Sequence, residues 1–184
     1  MGSATWNEFT VKYFRSVLMN GETALFENPK VMGDNLVLVN DRVSIINGGK
    51  TKGKLLGGNL TVLCHLLGSK YIPDWKNSLL FCEDIQEAPY RIDSMITHLK
   101  LTGALNEING FIFGKCTKCE VGGGSFGSLT IEDIFEDNIR PFNKSAFAGS
   151  MIGHITHKFT IPVGIEAEMD VDTGTIQLLE SSVL

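Results

Sequence analysis

Residue types that usually announce a site are scarce in this sequence. Its 184 residues include two tryptophans, four histidines and four cysteines. No apolar run approaches the ~20 residues that cross a bilayer, and the first residues do not form a signal peptide, so the expected location is cytoplasmic. There is no stripe of Lys and Arg. The longest basic cluster is Lys50, Lys52 and Lys54, and the net charge is −5. That balance argues against nucleic acid or an anionic membrane as a partner. Cys116-Thr117-Lys118-Cys119 is a lone C-x-x-C. A zinc site needs two further ligands, and no second C-x-x-C or H-x-x-H follows, so Cys116 and Cys119 are expected to be free thiols without metal. Cys64 and Cys82 lie in apolar stretches and read as buried small hydrophobes. Repeats and low-complexity linkers are also lacking.

What is present is an ordinary globular composition, 43% hydrophobic and 20% charged, long enough for one domain with a sizeable core. Residues 7–19 carry Phe9, Tyr13, Phe14, Val17 and Leu18 at helical spacing, ended by Asn20-Gly21. TALFE, NLVLV and RVSII then read as short strands with tight turns, Asn40-Asp41 being a hairpin turn. Gly48-Gly49 and Gly57-Gly58 bracket what reads as a basic loop, and Asn59-Leu60 opens an apolar helix to about Leu67. SLLFC and FIFG read as buried strands. A helix from about Tyr90 to Leu101 follows Pro89, a capped helix spans 128–139, and the tail 159–178 is turn-rich β. The pattern predicts one α/β domain with a short N-terminal helix.

Three places hold residues capable of chemistry. Gly123-Gly124-Ser125-Phe126-Gly127 fits the spelling of a hydrolase nucleophile elbow. An elbow serine sits on a sharp strand-to-helix turn, whereas Ser125 follows three glycines with no apolar strand immediately ahead, so it reads as a loop serine. Glu83-Asp84 ends the strand SLLFC, and His154 follows Gly153 between two β-like stretches. Side chains at strand ends reach solvent from a fixed backbone. A carboxylate there can fix a histidine tautomer and leave the other ring nitrogen as a general base. The residues alone leave His157 as a competitor of His154, while His65 and His98 sit in helical patterns and read as structural.

The segments GGNL (57–60), LLFCEDIQEAPYRIDSMITHLKLTGALNEINGFIFGKC (79–116) and GSMIGHITHKFTIPVGIEAEMD (149–170) together resemble the LD-carboxypeptidase family, which includes the microcin C self-immunity serine peptidases. The likeness runs from Lys54 to Met169. NEFTVKYF, at the start, resembles the interdomain helix of the immunity branch. However, residues 15–50 lack the tryptophan that branch uses to stack a nucleobase, and Ile155 stands where small residues usually follow the histidine.

The resemblance implies a swivelling β/β/α C-terminal domain over 22–184 and an interdomain helix at 7–21; residues 1–6, opening Met1-Gly2-Ser3, read as a cloning remnant or an interdomain linker. It implies a Ser-Glu-His triad in which Glu83 and His154 are the chain's own members. The serine and the oxyanion hole would come from an N-terminal flavodoxin-like domain that is expected to be absent here. No cofactor or metal is implied. The expected substrate is a muropeptide with an L,D-amide bond to terminal D-Ala, the alternative being a microcin C-type peptidyl-nucleotide. Arg91 is a candidate contact for the substrate carboxylate, or a structural partner of Asp93 or Glu87. A homodimer is expected, and an isolated chain would be inactive. The rival readings are a non-catalytic dimerisation or ligand-binding module and a self-contained hydrolase using Ser125.

Overall fold

The computed structural model describes residues 6–30, 41–119 and 129–183. Helix α1 (Glu8–Phe14) begins at Asn7, whose side chain accepts from the Thr10 backbone N–H, and runs on into a π-helical turn, Arg15–Met19. Strands β1 (Leu25–Glu27) and β2 (Ser44–Asn47) follow, then β3 (Lys50–Asn59) and α2 (Leu60–Leu66). The middle of the chain alternates β4 (Leu79–Ile85), α3 (Pro89–Leu101), α4 (Ala104–Glu107), β5 (Gly110–Thr117) and α5 (Ile131–Asn138). A 3-10 turn at Arg140–Phe142 leads to β6 (Ser145–Ala148), and β7 (Glu166–Asp170) and β8 (Thr175–Leu178) close the fold.

All eight strands lie in one mixed sheet, ordered β1-β8-β7-β3-β4-β5-β6-β2. β3 to β6 run parallel, and their sequences show why they occupy the middle. Leu79, Phe81, Ile112 and Phe147 face one core, while Leu80, Cys82, Phe111, Phe113, Ala146 and Ala148 face the other. Strands buried on both faces read as continuous apolar runs rather than alternating ones. Helices α2 to α5 cover the second face. On the first, Tyr13 and Val17 from the N-terminal helical segment pack with Phe26, Met151, Ile152 and Phe159. Among the described residues no helix is long and apolar enough to cross a membrane.

One sequence expectation needs correction here. The stretch between Gly48-Gly49 and Gly57-Gly58 is not a loop but most of β3, which pairs antiparallel with β7 over Lys50–Lys54 and parallel with β4 over Leu55–Asn59. Lys50, Lys52 and Lys54 are the outward residues of an alternating strand, and Glu168 on β7 takes both Lys50 (2.7 Å) and Lys52 (3.2 Å). β1 and β2 form opposite edges of the sheet, paired with β8 and β6. The strand expected at NLVLV, and with it one arm of the hairpin expected through Asn40-Asp41, lies outside the described residues.

Candidate active site

The site forms where the parallel strands end, and a bulge creates it. β4 and β5 pair in register up to Cys82↔Phe113, but the next pair is Asp84↔Cys116. One residue of β4, Glu83, therefore stands opposite two of β5, Gly114 and Lys115. A bulge of this kind bends the strand and re-aims its groups. The Lys115 N–H turns away from β4 and donates to the Ile152 carbonyl at 2.8 Å. A Cβ on Gly114 would lie 2.2 Å from that same carbonyl, so only glycine admits the approach.

The segment after Ile152 is thereby laid across the end of β4. Gly153 takes φ +139°, a conformation that favours glycine, and turns the chain beside Glu83. His154 follows, and its Nδ1 lies 2.8 Å from Glu83 Oε2. A carboxylate only accepts, so Nδ1 is the donor, and in the neutral ring Nε2 is the acceptor. Glu83 is 7% exposed, whereas the His154 side chain is 52% exposed. The carboxylate is thus fixed inside the fold and the imidazole faces outward.

Several further residues hold this pair, and the sequence reading did not find their roles. Thr117 Oγ1 donates to the His154 carbonyl at 3.1 Å. From α1, Asn7 Nδ2 (2.7 Å) and Thr10 Oγ1 (3.2 Å) both donate to the Thr156 carbonyl, and the Lys158 N–H donates to Thr10 Oγ1. Asn59 Nδ2 donates to Glu83 Oε1 at 3.2 Å and to Asp84 Oδ1 at 2.9 Å. The signal for Asn59 was its position as an N-cap right after two glycines at a strand end. Its second role depends on the register that sets Asn59 beside Glu83.

The other candidates lie elsewhere. His157 is exposed and sets its ring against Phe9, 6.2 Å between centroids. His65 and His98 lie on α2 and α3. Arg91 forms an ion pair with Glu87, four residues earlier and just ahead of α3, and Asp93 instead accepts from Asn138. Ile155 is half-buried against the core of the first sheet face. Ser125 lies outside the described residues. Among the described residues no group of His, Cys, Asp and Glu could hold a metal ion.

The expectation of free thiols in the C-x-x-C is corrected: Cys116 and Cys119 form a disulfide. The turn after β5 places Lys118 at φ +59° and brings the two Cα atoms to 5.5 Å, within disulfide reach. Cys64 and Cys82 stay reduced. Burial pushes the Cys64 thiol up to about 11, and burial first, with nearby acidic groups adding to it, pushes Cys82 up as well. Neither is a nucleophile near neutral pH. In denaturant without reductant, a thiol titration should therefore count two reactive sulfurs per chain, rising to four after reduction. Four before reduction would contradict the bridge.

The C-terminal domain model of LD-carboxypeptidases matches residues 52–169. A Bacillus subtilis protein named "Probable murein peptide carboxypeptidase" is 38% identical over 130 residues, 69% of this chain and 40% of that protein. The crystal structure of muramoyltetrapeptide carboxypeptidase from Oxalobacter formigenes superposes with a TM-score of 0.73 at 27% identity, covering 94% of this chain and 54% of that one. The microcin C7 self-immunity protein MccF, known from Escherichia coli, superposes at 0.79 with 19% identity, covering 95% and 56%, a likeness of fold. The chain spans about half the length of these relatives or less. With more than half of its residues matched by that model, the chain belongs to the LD-carboxypeptidase C-terminal domain family.

Proposed function

We propose that this chain is the part of a serine carboxypeptidase that supplies the glutamate and histidine of a Ser-Glu-His triad. The observation that carries the reading is the 2.8 Å contact between the buried Glu83 carboxylate and the half-exposed His154 ring. With Nδ1 held by Glu83, Nε2 can take the proton of a serine hydroxyl supplied by another domain of the full-length protein. The serine oxygen then adds to the amide carbonyl. His154 returns the proton to the departing amine, an acyl-serine forms, and water, deprotonated by the same Nε2, releases the acid. Both carboxylate oxygens of Glu83 are engaged, one by His154 and one by Asn59, which fits an orienting group better than a nucleophile or a metal ligand.

The substrate class follows the family: a muropeptide whose terminal D-Ala is joined through an L,D-amide bond. Full-length protein incubated with a muropeptide tetrapeptide should release one equivalent of D-Ala and leave the tripeptide, as read by mass spectrometry. Cleavage of an aminoacyl-sulfamoyl nucleoside with the tetrapeptide untouched would instead assign the peptidyl-nucleotide substrate. Hydrolysis of neither would remove the peptidase reading.

A further inference from the structure

The carboxylate next to Glu83 points the other way. Successive side chains on a strand leave opposite faces, so Glu83 lies with the His154 segment and Asp84 turns toward α2. Asp84 is 2% exposed and cannot meet substrate or solvent directly. A buried carboxylate requires strong compensation, and here it has four donors. Oδ2 accepts from the Thr61 backbone N–H (3.0 Å) and from Thr61 Oγ1 (2.9 Å). Oδ1 accepts from Asn59 Nδ2 (2.9 Å) and from the Ile85 N–H (2.9 Å).

The bond to Asn59 reaches the site. The Asn59 amide has only one workable orientation. Its Oδ1 accepts from the Val62 N–H as the cap of α2, while its Nδ2 donates to Asp84 and to Glu83 Oε1. A flipped amide would set an N–H against the Val62 N–H and an oxygen against two carboxylates. Asp84 therefore fixes which way Asn59 points, Asn59 holds Glu83 Oε1, and Glu83 Oε2 is left in place for His154.

We propose that Asp84 is a positioning residue of this site, acting through Asn59 to hold Glu83 in line with His154. The inference rests on the triad reading above for its kinetic consequence, but its geometric consequence can be measured without it. Thr61 and Ile85 are fixed donors of their backbone N–H groups, so Asp84→Asn must place its own NH2 either against the Thr61 N–H or against the Ile85 N–H and Asn59 Nδ2. The shape of the residue is kept while one of its two donor pairs loses its acceptor: either the Thr61 side of the cradle that holds residue 84 is lost, or the bond that orients Asn59 is.

Two measurements test it. In the 184-residue chain, the His154 Nδ1–H proton, held by Glu83, should give a downfield NMR resonance that shifts or broadens in Asp84→Asn. In full-length protein, Asp84→Asn should lower kcat by about 10- to 100-fold, the usual loss when a supporting group is removed, with KM within about threefold. Asn59→Ser keeps a good cap for α2 but cannot bridge the carboxylates, so it should reproduce both effects and remain testable should Asp84→Asn fail to fold. Because the two residues act in series, the double variant should lose no more than the worse single one. An unshifted His154 resonance and wild-type kcat in either variant, or losses that multiply in the double, would overturn the assignment. A full-length His154→Ala protein that still turns over would strike the triad reading instead, leaving the resonance to decide the role of Asp84.

Discussion

Full-length protein carrying Glu83→Gln should fold normally and lose about four orders of magnitude in kcat, the size of effect seen when an orienting carboxylate becomes an amide. The reason is the direction of two hydrogen bonds. Asn59 Nδ2 can only donate, so it will claim the carbonyl oxygen of the substituted amide and leave that amide's NH2 facing His154 Nδ1. Two donors cannot meet there. His154 must switch tautomer and carry its proton on Nε2, where it can no longer accept one from a serine. His154→Ala removes the base outright and should cost at least as much, since members of such a triad fail as a unit. Ser125→Ala should leave turnover unchanged, and on the triad reading the 184-residue chain alone should be inactive, because the serine is proposed to come from another domain. Glu83→Gln protein retaining a tenth or more of wild-type kcat would remove Glu83 from the mechanism. Activity in the chain alone, abolished by Ser125→Ala, would make Gly123–Gly127 the nucleophile turn.

The difference between what could be read in the sequence and what could not follows the range of the forces involved. Runs such as 79–82 and 111–113 are legible because a strand buried on both faces needs apolar residues throughout. Helix α5 is legible because Thr130 and Asp133 cap each other within three residues. The strand Lys50–Lys54 was not, since three lysines among glycines look like a solvated loop until Glu168 is brought alongside by β7. Glu83 and His154 could be named as candidates from strand-end placement and from the family likeness. Their pairing depends on the bulge at Gly114-Lys115 and on the carbonyl of Ile152, which no local pattern announces. Asn59 shows the same limit within one residue: its cap to Val62 is local and legible, its bridge to Glu83 and Asp84 is not. The disulfide likewise depends on the left-handed turn at Lys118, a conformation the residue type does not favour.

The largest loss of stability is expected from one methyl group in the middle of the sheet. Gly57 pairs with Phe81 across the parallel β3–β4 ladder, and a Cβ at that position would lie 1.8 Å from the Phe81 carbonyl oxygen and 2.7 Å from its carbon. The obstacle is the backbone of a central strand, packed between both cores, and it has no rotamer to change. Gly58 serves as its control. Its φ of +151° is nearly that of Gly57 at +156°, yet a Cβ there meets nothing within 4 Å. Gly58→Ala should therefore carry only the conformational penalty, about 1–2 kcal/mol, while Gly57→Ala adds the collision and should reach about 4 kcal/mol. For a chain of this size that places the melting temperature of Gly57→Ala roughly 5–10 °C below that of Gly58→Ala. The consequence reaches the site as well, because Glu83 stands two residues beyond Phe81 on β4 and Asn59 two beyond Gly57 on β3. Any retreat of β4 lengthens the Asn59–Glu83 bond. In Gly57→Ala the His154 Nδ1–H resonance should accordingly shift even well below the melting transition. Melting within a degree or two of Gly58→Ala would mean that the two strands separate at little cost, and that their close approach is not what holds Glu83 in place.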